Sequence, residues 1–284
     1  MLTILLDGIA SGMLLFVLAC GLSVTMGLMN FVNLAHGAFG MLGGYVLVLL
    51  LQRGHWPFLA CLPAAFLVTA LLGLLLERTL YARLYRREHL DQVLFSIGLV
   101  FMAGATADWF MGAQQQIIQL PSWLSGRVDL GLGELGRYRI FLILVCGGIV
   151  AGLQLGLLRT RFGAQLRAAV DDATVARGLG IPVPRLFAAT FALGSGLAGL
   201  GGALGVEVLG LDPTFPLKYL VYMLIVVAVG GANTILGPAL AALLLGVVDV
   251  AGKYWLPQVG AFIIYTAMVA LLLLRPHGLL AKPA

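Results

Sequence analysis

The chain has 284 residues, of which 61% are hydrophobic and only 10% charged, and its mean hydropathy is +1.04. A soluble domain carries about 25% charged residues. This chain therefore lacks the polar surface to face water on all sides, and lipid must be the solvent for most of it. The net charge of +5 reads as basic residues gathered in cytoplasmic loops, the usual pattern in membrane proteins, and not as a nucleic-acid surface.

Taken in chain order, apolar runs broken by polar or Pro/Gly segments predict helices at about 4–28, 36–52, 57–80, 92–112, 138–158, 185–206, 217–231, 238–255 and 259–274. The fold class is an all-α polytopic membrane bundle of eight to nine transmembrane helices, treated as one transmembrane domain over 1–284. The first run has no basic leader and carries Asp7 instead, so it is predicted as a true span and not a cleaved signal peptide. Residues 113–137 form the longest external segment, expected to be an interfacial loop or a short amphipathic helix. Placing 159–184 in the cytoplasm and alternating outward puts 11 Lys and Arg residues inside and 6 outside. That bias orients the chain with its C-terminus cytoplasmic and, for nine spans, its N-terminus outside.

Cys20, Cys61 and Cys146 each lie in an apolar run, with no CxxC spacing, and are expected to be small buried hydrophobes instead of disulfides or metal ligands. No metal or catalytic residues are predicted. There is no GK[ST] sequence to make a phosphate-binding loop, no HExxH and no GxSxG. His36, His55, His89 and His277 fall in separate loops or span ends. The small residues of 194–202, at small-xxx-small spacing, suit close helix approach in lipid, with gating hinges as the alternative.

The stretch 159–184 carries most of the functional signal. After a span the chain turns basic. It then offers Asp171 or Asp172 as an N-cap, a short run to Arg177, Gly178 and Gly180 as stop signals, and Pro182 and Pro184 to prevent continuation. A capped helix of about seven residues is too polar to span and too short to stand alone. It is either an ordinary solvated loop or an element that docks on something else. A second polar interruption, Asn30, Asn33 and His36, breaks the apolar pattern near the N-terminus. Such groups are costly in lipid and face protein or water. Asn33 reads either as a cap for freed backbone groups or as a lining of a solute path. His36 reads either as a satisfied interior histidine or as a proton carrier or ligand.

These segments resemble a known family. AVDDATVARGLGI (169–181) is similar to the coupling loop of ATP-binding-cassette importer permeases, in the version found in branched-chain amino-acid permeases. GLSVTMGLMNFVNLAHGAFGMLGGYV (21–46) resembles the LivH-type signature, with Asn33, His36, Gly37, Gly44, Tyr45 and Val46 at its core positions. AVGGANTILGPALAALLLGVVD (228–249), with Asn233-Thr234, and the closing RPHGLL (275–280) are weaker matches, and 206–218 departs from the pattern. The resemblance implies that Asp171, Asp172, Ala173, Ala176, Leu179 and Gly180 couple to an ATPase. It makes Asn30, Asn33, His36, Gly37, Asn233 and Thr234 candidates for pathway or helix-break residues. It further implies a sister permease subunit in a heterodimer, two cytoplasmic ATPase subunits that bind the ATP, and an external or periplasmic solute-binding protein. This chain itself would need no cofactor. The expected location is a bacterial or archaeal inner membrane, and the expected cargo leucine, isoleucine or valine. Permeases for urea or short amides are similar enough to stay open as an alternative.

Two other classes compete. An ion-coupled secondary transporter usually places carboxylates deep in the membrane. Asp7, Glu77, Asp108 and Glu207 instead sit at predicted span ends, and the deeper Asp249 has Lys253 four residues on as an i,i+4 partner. A membrane enzyme finds no motif to support it.

Overall fold

The computed structural model describes residues 1–29, 33–85, 87–129, 134–231, 235–275 and 278–280, without the side chains of 27–29 and 261. Each of the nine predicted apolar stretches lies on a helix. These are α1 (Leu2–Met29), α2 (His36–Gln52), α3 (Phe58–Leu76), α5 (His89–Met111), α6 (Arg137–Arg159), α9 (Val183–Leu209), α10 (Phe215–Gly230), α11 (Leu236–Trp255) and α12 (Gly260–Leu274). α3 continues through a π-helical turn, Glu77–Tyr81, into α4 (Ala82–Leu84). Six of these segments are long and apolar enough to cross a membrane, and those of α2, α10 and α12 are shorter. Among the described residues the bundle is all-α except for a small hairpin.

The centre of the bundle is α9, packed against α1, α2 and α3. Glycines set those approaches. A Cβ on Gly43 of α2 would run into the backbone of Gly199 of α9, and one on Gly202 into the backbone of Gly40. α1 meets α11 the same way, through Gly12 and Gly246. Without a hydrophobic force between helices in lipid, such close backbone packing is a main source of association. The small residues of 194–202 are thus buried in helix contacts. α5 and α6, by contrast, are mostly exposed along their length.

Contacts sort the connections to two ends of the bundle. At one end Arg139 lies 3.5 Å from Asp7 and donates to Ser11 Oγ at 3.1 Å, Gln52 Nε2 donates to the Ile117 carbonyl at 3.1 Å, and Gln116 bridges Leu211. Among its described residues, the segment 113–137 contains no helix before Arg137. It is a loop ending in an antiparallel hairpin, β1 (Arg127–Asp129) with β2 (Glu134–Gly136), closed by an exposed Arg127–Glu134 pair at 2.9 Å. The amphipathic-helix option for this segment is therefore corrected. Pro121 and the glycines of 126–136 favour turns over helix.

At the opposite end lie α7 (Arg161–Asp171), α8 (Ala173–Gly178) and the α10–α11 junction at Ile235, where Ile235 shares a cleft with Phe162. The closing turn reaches the end of α10, since the Leu279 N–H donates to the Val229 carbonyl at 2.8 Å. Cys20, Cys61 and Cys146 are free and buried.

Candidate functional site

The segment after α6 turns sharply. Thr160 caps α7, its hydroxyl accepting from the Gly163 N–H at 3.1 Å, and Gly163 sits flat against the Leu157 backbone. Basic composition hid this helix from the sequence reading, although Phe162, Leu166, Ala169 and Val170 recur at helical spacing. Asp171 closes α7, and Asp172 starts α8. The Asp172 carboxylate accepts from the N–H groups of Thr174 at 2.7 Å and Val175 at 3.0 Å. Those two donors hold its pKa below the ordinary carboxylate value. Of the two acidic caps proposed by the sequence, the structure selects Asp172.

α8 spans six residues and ends where Gly180, at φ +81°, reverses the chain. The Ile181 N–H then returns to the Ala176 carbonyl at 3.0 Å. α8 ends before Pro182 and Pro184, and Val183 already begins α9 with Pro184 in its first turn. α8 has a small apolar seat made by Leu166, Ala169, Ala176, Val183 and Leu186. So Ala176, only 1% exposed, anchors α8 to its own chain and does not face outward. Ala173 is half-buried. Asp171, Asp172, Leu179 and Gly180 are exposed. Val175, which the sequence reading passed over, is 58% exposed, and Leu179 is 75% exposed. Two large apolar side chains thus stand in the open, Val175 on α8 and Leu179 at its C-terminal cap, on an element seated against α7 and α9.

The second region is the α1–α2 break. Asn33 is fully buried. Its Oδ1 accepts from the Ala35 N–H at 3.1 Å and from the Tyr81 hydroxyl at 3.0 Å, while its Nδ2 has no partner. Asn33 thus holds the backbone two residues on, at the Ala35 N–H, ahead of α2. His36 Nε2 bonds the Leu18 carbonyl at 3.0 Å, which makes it an interior histidine held between helices. Gly37 lies against the backbone of Pro216. Asn30, Asn233 and Thr234 lie outside the described residues, so the structure does not test their assignment.

Beside this break a cleft of about 470 Å³ opens between α2, α3 and α5, lined by Ala35, Phe39, Leu72, Met102 and Thr106 among others. Tyr45 also lines it, and its buried hydroxyl has no partner. The π-helical turn in α3 aims Tyr81 at Asn33. Nothing in the residue types ERTLY announces such a turn, though π-bulges cluster at functional sites. Elsewhere Asp249 is paired with Lys253 at 2.6 Å, as its i,i+4 spacing predicted.

The family model described as branched-chain amino acid transport system / permease component matches residues 4–274. The high-affinity branched-chain amino acid transport system permease protein BraD of Pseudomonas aeruginosa is 26% identical over 98% of this chain and 95% of its own length. The probable branched-chain amino acid transport permease protein LivH of Methanocaldococcus jannaschii is 26% identical over 94% of this chain and 88% of its own. The permease protein LivM of Salmonella typhimurium is 27% identical over 94% of this chain and 68% of its own. No solved structure matches at a significant level. With nearly its whole length matched and its helices forming a multi-pass membrane bundle, the chain belongs to the branched-chain amino-acid transport permease family.

Proposed function

We propose that this chain is the membrane subunit of an ATP-binding-cassette importer for leucine, isoleucine and valine, and that it forms half of the translocation pathway. The observation that carries the reading is α8, a six-residue helix capped by Asp172, seated on α7 and α9, with Val175 and Leu179 exposed. A rigid, outward-facing lever of this kind suits a partner that pushes on it.

In this reading the end bearing α7 and α8 is cytoplasmic, as is the C-terminus, and eight to nine helices cross a bacterial or archaeal inner membrane. Two ATPase subunits bind ATP and receive α8. A sister permease subunit completes the pathway, and a solute-binding protein delivers cargo at the opposite end. The chain does no covalent chemistry and carries no cofactor of its own. It shifts between two packings whose populations its partners bias. The cleft beside Asn33, His36 and Gly37 is the candidate path, its apolar wall suited to aliphatic side chains. Asn30, Asn233 and Thr234 remain proposed members of that region.

The test is co-purification with the ATPases. Val175→Glu with Leu179→Glu should leave the bundle folded while abolishing complex formation and solute-stimulated ATP hydrolysis. Normal association and stimulation would refute the docking role. Cargo is decided by uptake of labelled leucine against labelled urea, because a short-amide permease would share this architecture. Uptake without any ATPase would favour ion coupling instead.

A further inference from the structure

A second, smaller cleft lies between α6 and α9, away from the candidate path. α6 rests chiefly on α1 and α7, and it is tied to α9 at the far end, where the Tyr138 hydroxyl donates to the Leu204 carbonyl at 2.7 Å. The gap has a volume of about 150 Å³ and is almost entirely apolar. Gly152 and Gly156 form the α6 wall, Cys20 of α1 lies at the back, and Phe162 closes the end near α7. At both glycines a side chain would enter open space, so no neighbouring helix closes this wall of the groove. An apolar groove of this kind, open on one side, offers a place for hydrocarbon and few partners for water.

Two polar features frame it. Thr190 lines the cleft, is only 3% exposed, and its hydroxyl has no hydrogen-bond partner. An unpaired buried donor is costly unless something meets it. At the mouth, Arg159 and Arg161 flank Thr160, a lining residue, and both are exposed without an acidic partner among the described residues. Arg167 lies over the same corner, donating one N–H to the Leu157 carbonyl. Its guanidinium has four further N–H groups to offer.

We propose that this cleft binds one anionic phospholipid. Its phosphate lies among Arg159, Arg161 and Arg167, an ester carbonyl accepts from the Thr190 hydroxyl, and an acyl chain runs along Gly156 and Gly152 toward Cys20. Basic corners between membrane helices recruit anionic headgroups in this way. The lipid would wedge α6 apart from α9 directly above the seat of α8. Its assignment to the inner leaflet rests on the orientation given under Proposed function.

Native mass spectrometry of the purified chain without ATPases tests this, using dioleoyl-phosphatidylglycerol and dioleoyl-phosphatidylcholine as probes. The wild-type chain should retain one phosphatidylglycerol in preference to phosphatidylcholine. Each arginine changed to glutamine should weaken retention about fivefold. Gly156→Leu, which fills the groove without a backbone clash, should remove it. Equal retention of both lipids would overturn the proposal. So would loss on Arg159→Gln with Arg161→Gln but unchanged retention in Gly156→Leu, because that marks surface adsorption alone. The readout needs no coupling partner, so its failure leaves the docking role of α8 standing, and failure of docking leaves the lipid result intact.

Discussion

The hydroxyl of Tyr81 donates to Asn33 Oδ1 across 3.0 Å, tying the π-helical turn after α3 to the break between α1 and α2. Both side chains are fully buried. Tyr81 also packs on Phe191 of α9, with ring centroids 4.7 Å apart, so one residue joins three parts of the bundle.

Tyr81→Phe keeps the ring packing and removes the hydroxyl. Asn33 Oδ1 retains its bond from Ala35, so the expected loss is small, about 0.5–1.5 kcal/mol in unfolding free energy. Uptake should fall more than stability does if the break must hold one geometry. Thermal unfolding in nanodiscs beside labelled-leucine uptake checks both.

Gly43→Leu should prevent the bundle from assembling, because any side chain there meets the Gly199 backbone and neither helix can yield. The cost is on the order of 3 kcal/mol or more. Gly98→Leu on α5 enters open space and should leave folding unchanged. Monodisperse yield from size-exclusion chromatography separates the two outcomes.

The positions of the apolar helices were legible in hydropathy alone, but their ends were not. α9 begins at Val183 and ends at Leu209, wider than the apolar window of 185–206, because helices continue into interfacial residues that a hydropathy pattern scores as loop. The cap and stop of α8 were legible because Asp, Gly and Pro carry backbone preferences of their own. That Ala176 faces inward and Val175 outward was not, since a six-residue helix has too few turns to show an apolar face. The Tyr81–Asn33 bond joins residues 48 apart through a π turn that leaves no mark on composition.

Asp172 makes the order of α8 dependent on pH. Its carboxyl sits below the ordinary value of 3.8 because two backbone N–H groups favour the charged form. The cap is therefore fully effective above that ordinary value and is lost as pH falls through the lowered one. Amide-exchange protection at 173–178 should hold near neutrality and drop only in acid. Asp172→Asn keeps a good cap and should remove the acid-dependent drop. A drop that persists unchanged in Asp172→Asn would place the titrating group elsewhere.

The most direct measurement is labelling of Leu179→Cys with a membrane-impermeant maleimide, in right-side-out and inside-out vesicles, with and without the ATPases. Leu179 is 75% exposed, whereas the three native cysteines are buried. The account predicts labelling in inside-out vesicles alone and protection when the ATPases are bound. Labelling from the outer side, or full reactivity beneath bound ATPases, would contradict it.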